Sequence, residues 1–280
     1  MRLQHYELTV LCENSVAGPI GLIGEHGWAI HAAAGDSRIL FDTGQGQGIL
    51  GNSRKLGVDL ASIDCIVLSH GHYDHTSGLP DVLGMCGAVD VYAHPDCFLD
   101  RYWEKDGESR EIGIRYKRAY LESLGARFRF VEEFSEIMDG VYITGEVPRI
   151  TPFELPDPNM KLRDEQGRWV RDELHDDQSM VIDTDEGLIV VLGCAHAGLI
   201  NILTHVGHHL PDRPLHTVVG GTHLGFAGPA QFEATVDALR QFGVQRIGAG
   251  HCTGLANSAR LFQHFGEAYF FSAVGCKIGS

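Results

Sequence analysis

Apolar residues along this chain come in short, unbroken runs rather than long helical stripes, and the runs stop on small or acidic residues. "YELTVLC" opens the series. "GWAIHAAA" and "SRILFDTG" follow at a spacing that predicts a hairpin across Gly35-Asp36. Helical periodicity is present in "GILGNSRKLGV", after which "CIVLS" reads as a buried strand. Further on, "SMVIDTDEGLIVVLG" predicts a second hairpin across Asp185-Glu186-Gly187. The remainder alternates helices ("LINILTHVGHHL", "PAQFEATVDALRQFG", "ANSARLFQHFG") with short strands ("HTVVGG", "QRIGAG"), an α/β pattern. Between these halves, about 94–171, Arg, Glu, Tyr and Trp are enriched and the end is proline-rich ("PRITPFELPDPNM"). This middle is expected to form an inserted helical cap with a covering loop, within a single domain spanning 1–280.

Four of the apolar strands end in small residues followed by a histidine: "IVLSH" at His70, "VVLGCAH" at His196, "TVVGGTH" at His223 and "RIGAGH" at His251. Ligands of open α/β sheets bind off the carboxyl ends of strands, so these four side chains are candidates for one crevice. Small neighbours permit close backbone approach there.

The first of these ends carries the densest chemistry. "LSHGHYDHTSGL" contains His70-x-His72-x-Asp74-His75. A polar surface loop explains histidines in general but predicts scatter. In extended chain, residues two apart share a face, so His70 and His72 converge off the end of a strand. Asp74 suits the start of the next helix and leaves His75 free to turn back toward the cluster. The pattern points to a metal site.

Composition narrows the class of function. At 280 residues, with 44% hydrophobic and 21% charged positions, the chain is ordinary for a globular protein. It has no apolar run long enough to span a bilayer and no apolar signal segment at its start, which leads us to expect a cytoplasmic protein without membrane partners. A net charge of −15 argues against a nucleic-acid partner. The basic cluster "IRYKRAY" reads more readily as a solvated helix face than as a phosphate site. Seven cysteines without a C-x-x-C pair argue against a disulfide framework or zinc ribbon and fit reduced thiols.

The histidine motif and the later strand-end histidines resemble the metallo-β-lactamase superfamily. "EHGWAI", "ILFDTGQ", "GEVPRITPFE", "DDQSMVI", "GLIVVLGCAHAGLINIL", "GGTHL" and "GHCTG" further resemble the subfamily that includes the dihydropterin-type enzyme of methanopterin biosynthesis. The resemblance implies an αββα sandwich, two mixed sheets packed face to face with helices outside, and a dinuclear metal site at one edge. It also implies that His70 and His72 bind one ion with a later histidine, while Asp74 and His75 bind the second with the last histidine. The strand-end pattern offers His196 and His251 for those places. Many members bridge the ions with an aspartate, whereas this chain reads Leu192-Gly193-Cys194. Cys194 is either a thiolate ligand or a thiol packed beside the site.

His223 is either a further ligand or a residue that contacts substrate and shuttles a proton, in which case it acts with Asp74 in catalysis. Asp176-Asp177 either orient a ligand histidine or cap a turn. His205, His208 and His209 read as a solvated helix face. Arg101, Tyr102, Trp103, Arg115, Tyr116 and Arg149 are able to stack a ring and bind an anion, or are ordinary surface and packing choices. Of these, Arg149 is expected to bind substrate alongside His223.

The expected cofactors are two divalent metal ions, zinc before manganese or iron. Such a pair activates water and clamps attacking and leaving oxygens. The expected function is a metal-dependent hydrolase acting on a small, phosphorylated or pterin-like substrate. The alternatives are a pterin-phosphate transferase of the dihydropterin type and a non-catalytic metal-binding member.

Overall fold

In the computed structural model, which describes residues 2–18 and 20–279, the apolar runs form two mixed sheets. The first contains β1 (Tyr6–Cys12), β2 (Ala29–Ala34), β3 (Ser37–Phe41), β4 (Cys65–Val67), β5 (Val89–Ala93), β8 (Ala126–Phe130) and β18 (Lys277–Gly279), in the order β18-β1-β2-β3-β4-β5-β8. The second contains β9 (Ser135–Met138), β10 (Val141–Ile143), β13 (Met180–Thr184), β14 (Gly187–Val191), β15 (Leu215–Gly221), β16 (Arg246–Gly250) and β17 (Tyr269–Phe271), in the order β17-β16-β15-β14-β13-β10-β9. Each sheet is antiparallel over its hairpins and parallel where helices intervene, from β3 through β8 and from β14 through β17. Both expected hairpins form, with Ala34 opposite Ser37 and Thr184 opposite Gly187.

Alternation along these strands separates three cores. Ile39 and Phe41 of β3 meet Ile189 and Val191 of β14 in the layer between the sheets. The intervening Leu40 and Ile66 face α1 (Ile49–Leu56) and α3 (Leu79–Cys86). Leu188 and Val190 face α5 (Leu199–His209), α6 (Pro229–Gln241) and α7 (Leu255–Phe265). Strands buried on both faces read as continuous apolar runs for this reason. The result is the helix–sheet–sheet–helix sandwich. Among the described residues, no helix is long and apolar enough to cross a membrane.

The middle of the chain differs from expectation. Its one α-helix is α4 (Arg118–Ser123), and β8, β9 and β10 belong to the main sheets rather than to an insertion. What remains is no helical cap but a small antiparallel sheet of β6 (Arg101–Lys105), β7 (Glu108–Glu111), β11 (Met160–Arg163) and β12 (Trp169–Arg171), ordered β12-β11-β6-β7. Asp106 and Gly107, at φ 54° and 84°, make the tight turn between β6 and β7. The Asp-Gly pair is a hairpin signal, and the charged, aromatic strands beside it hide no apolar face long enough to register as strand.

Candidate metal centre

Carboxyl ends of five strands meet at one edge of the sandwich. β3 leads to Asp42, β4 to His70, β14 to Cys194 and His196, β15 to His223, and β16 to His251. Asp42, Ala195, His223 and His251 all hold left-handed backbone, with φ of 59°, 55°, 55° and 51°. Each such residue costs on the order of 1–3 kcal/mol, and strain of this kind gathers where function demands a particular direction. His72 is extended and precedes the single turn α2 (Tyr73–Thr76), which presents Asp74 and His75. Gly193 is required by packing, since a Cβ there would lie 2.3 Å from Ser69 Oγ.

The donor atoms of His70, Cys194 and His196 lie within 4.8 Å of one another, and so do those of His75, Cys194 and His251. One sulfur therefore belongs to both groups. His72 joins the first through Nδ1, 3.0 Å from His70 Nε2. Asp74 joins the second through Oδ2, 3.4 Å from His251 Nε2. Cys194, read from sequence as a ligand or a packed thiol, is 3.2 Å from His75 Nε2.

These residues fit a divalent metal. His196 Nε2 is buried without any hydrogen-bond partner among the described residues. Burial, reinforced by mutual repulsion among the rings, holds the pKa of His70, His72 and His196 well below the usual histidine range, so these imidazoles are neutral donors. Neutral imidazoles with a thiol and a carboxylate are a zinc-type donor set.

Partners outside the cluster fix which nitrogen faces inward. His75 Nδ1 is 2.7 Å from Asp42 Oδ2, and Asp42 also accepts from Ser69 N and Oγ. His251 Nδ1 is 2.9 Å from Asn14 Oδ1, while His251 N donates to Glu13 Oε1 at 2.6 Å. Ser69 Oγ holds His70 Nδ1 at 2.8 Å. In His70, His75 and His251 Nε2 is thus left to face the centre, the arrangement that orients metal-bound histidines. Asp176 and Asp177 hold the backbone instead, accepting from Gly71 N and Ala197 N respectively.

Sequence reasoning missed Asp42, Glu13, Asn14 and His26. His26 Nε2 lies 3.1 Å from Asp74 Oδ2. The Asp-Thr-Gly that ends a buried strand was the one available signal for Asp42. Glu13 and Asn14 are single polar residues with no local pattern, and His26, within "EHGWAI", has no metal-ligand spacing to another donor.

A cavity of about 820 Å³ opens from this cluster. His223, Cys252, Phe226 and the small sheet's Trp103, Arg110 and Met160 line it together with Arg115. His223 lies outside both donor groups, its ring 4.4 Å from that of His196 and its Nε2 4.0 Å from Asp157 Oδ2, so it faces the cavity. Arg149, expected beside the substrate, does not line this cavity. Its guanidinium donates to the carbonyls of His196 and Glu173, away from the cavity, and braces the loop that carries His196. Arg101 is likewise buried in ion pairs with Asp172 and Asp176. Tyr102 packs on Trp169, and Tyr116 joins the outer core of the first sheet. His205 and His209 pack against Phe134 rather than forming a donor cluster.

Comparison with known proteins agrees with this arrangement. The profile of the metallo-beta-lactamase superfamily matches residues 24–251. The chain is 32% identical, over 83% of its length and 81% of the relative's, to 7,8-dihydropterin-6-methyl-4-(beta-D-ribofuranosyl)-aminobenzene-5'-phosphate synthase of Methanocaldococcus jannaschii. An uncharacterized protein of the same organism is also 32% identical, over 91% of this chain and 93% of its own. Among solved structures, Tm1679, described as a metal-dependent hydrolase of the beta-lactamase superfamily, superposes with a TM-score of 0.83 at 28% identity, covering 98% of each chain.

Proposed function

The chain belongs to the metallo-β-lactamase superfamily, and from that premise we propose that it is a metal-dependent hydrolase of a small phosphorylated or pterin-like molecule. In this reading His70, His72 and His196 hold one divalent ion, zinc by donor chemistry, and Asp74, His75 and His251 hold the other. Cys194 lies between them. The observation that carries the proposal is the membership of Cys194 in both histidine groups.

Two divalent ions at such a centre supply Lewis acidity and an activated water. The chain's own residues do the rest. Asp42 and Asn14 keep the Nδ1 protons of His75 and His251 outward, so that neither ring must reorient during turnover. Asp74 Oδ2, between His26 and His251, remains a carboxylate. His223 faces the cavity, its Nε2 4.0 Å from Asp157 Oδ2, and offers its ring to a bound substrate. Trp103 and Phe226 offer aromatic surface for a planar ring. The net charge of −15 supports a small molecule over nucleic acid as substrate.

The M. jannaschii relative is named a synthase of a dihydropterin-bearing aminobenzene phosphate, which supports the second reading, a pterin-phosphate transferase. Reaction of metal-loaded protein with phosphoesters, diphosphates, lactones and thioesters in ¹⁸O-labelled water separates the two. Label in the product supports the hydrolase. Diphosphate release that depends on an added amine acceptor, with no label incorporated, supports the transferase and overturns the hydrolase.

A further inference from the structure

Two arginines in the cavity have no counterion among the described residues. The side chains of Arg110, at the end of β7, and Arg115, just beyond it, form no ion pair and no hydrogen bond there. Both are instead held against aromatic rings, Arg110 5.0 Å from the centre of Trp103 and Arg115 4.7 Å from the centre of Tyr73. Arg101, Arg127, Arg168, Arg213 and Arg260 by contrast pair with carboxylates, and what sets Arg110 and Arg115 apart from other stacked arginines such as Arg163 and Arg246 is that they line the cavity. Stacking fixes a guanidinium's plane while leaving its N–H edge free to bind an anion.

The segment between these arginines is tied to the candidate metal centre. Tyr73 N donates to Ile112 O at 3.0 Å, and His72 forms a bridge with Gly113. Both cations thus flank the backbone joint at which the small sheet meets the His72-Tyr73-Asp74 stretch.

We propose that Arg110 and Arg115 form an anion subsite that binds a phosphate group of the substrate remote from the bond being broken, with Trp103 beside it to take the substrate's planar ring. The ligand class is an aromatic organic phosphate. This rests on the proposed function in placing the reacting bond at the metal centre, but the binding step does not depend on turnover. The charge-assisted N–H to phosphate contacts supply the affinity, and the site discriminates against a neutral analogue because the two cations then gain nothing.

Phenyl phosphate and phenol serve as probes, with binding to the metal-loaded protein followed by calorimetry. In the double variant Arg110→Ala/Arg115→Ala phenyl phosphate binds at least about tenfold more weakly, a loss of roughly 1.4 kcal/mol, while phenol binding is unchanged. Both side chains are exposed, so the fold survives their removal. Equal binding of phenyl phosphate to wild type and double variant overturns the subsite, since the metals alone then hold the anion. Equal weakening of phenol and phenyl phosphate also overturns it, because the arginines then act only by packing. A repeat on chelator-treated protein separates the two claims. Arginine-dependent phosphate binding that persists there upholds the subsite even if the hydrolase reading fails.

Discussion

Cys194 Sγ lies 3.2 Å from His75 Nε2, and the same sulfur completes a second group with His70 and His196. Because one atom serves both groups, a change at Cys194 reaches both. Cys194→Ser, which replaces a soft donor by a weak neutral one, is expected to lower metal content, whereas Cys194→Asp supplies an anionic oxygen and retains both ions. Elemental analysis of the purified variants checks this. Full occupancy in Cys194→Ser removes the cysteine from the ligand set.

Asp42 acts on the metals through His75. Its carboxylate, fully buried, accepts from His75 Nδ1 and from Ser69. Asp42→Asn weakens the preference for the Nδ1–H tautomer and is expected to reduce affinity for the ion at His75 by about 10–100-fold. Competition with a chromophoric zinc chelator reads that affinity. The affinity of the ion at His70 and His196 changes far less.

Arg101 ties the small sheet to the loops of the centre by pairing with Asp172 and Asp176, and Asp176 in turn accepts from Gly71 N. Removing the cation strands two buried carboxylates. Arg101→Met is therefore expected to cost about 3–5 kcal/mol, measured by urea unfolding of metal-free protein. A change under about 1 kcal/mol would mean that water replaces the pair.

Arg149 donates to the carbonyls of His196 and Glu173. Arg149→Ala leaves two acceptors short of partners, for a loss of about 1–3 kcal/mol, and its effect appears in unfolding midpoint and metal retention rather than in KM. A raised KM with unchanged stability would return this residue to the substrate site.

How far the sequence carries the reader depends on how local each signal is. His70, His72, Asp74 and His75 were legible because their spacing and the preceding apolar run constrain one another within a few residues. His196 and His251 were legible because glycine and alanine before a histidine mark the end of a buried strand, and parallel strands deliver such ends to one edge. The small sheet was not legible, because its strands are three to five residues long and rich in charge, so any alternation, as in Met160-Lys161-Leu162-Arg163, is too short to stand out. The direction of Arg149 was not legible because residue type gives none, and its partners are backbone carbonyls 24 and 47 residues away. Asn14, 237 residues from His251, carries no signal at all until the chain folds.

Metal stoichiometry measured together with turnover tests the central claim most directly. The purified chain is predicted to carry about two equivalents of divalent metal, to lose hydrolysis of its best substrate when a chelator removes them, and to regain it on adding zinc, while His72→Ala loses metal and turnover together. A metal-free preparation that hydrolyses the substrate at the full rate would contradict it.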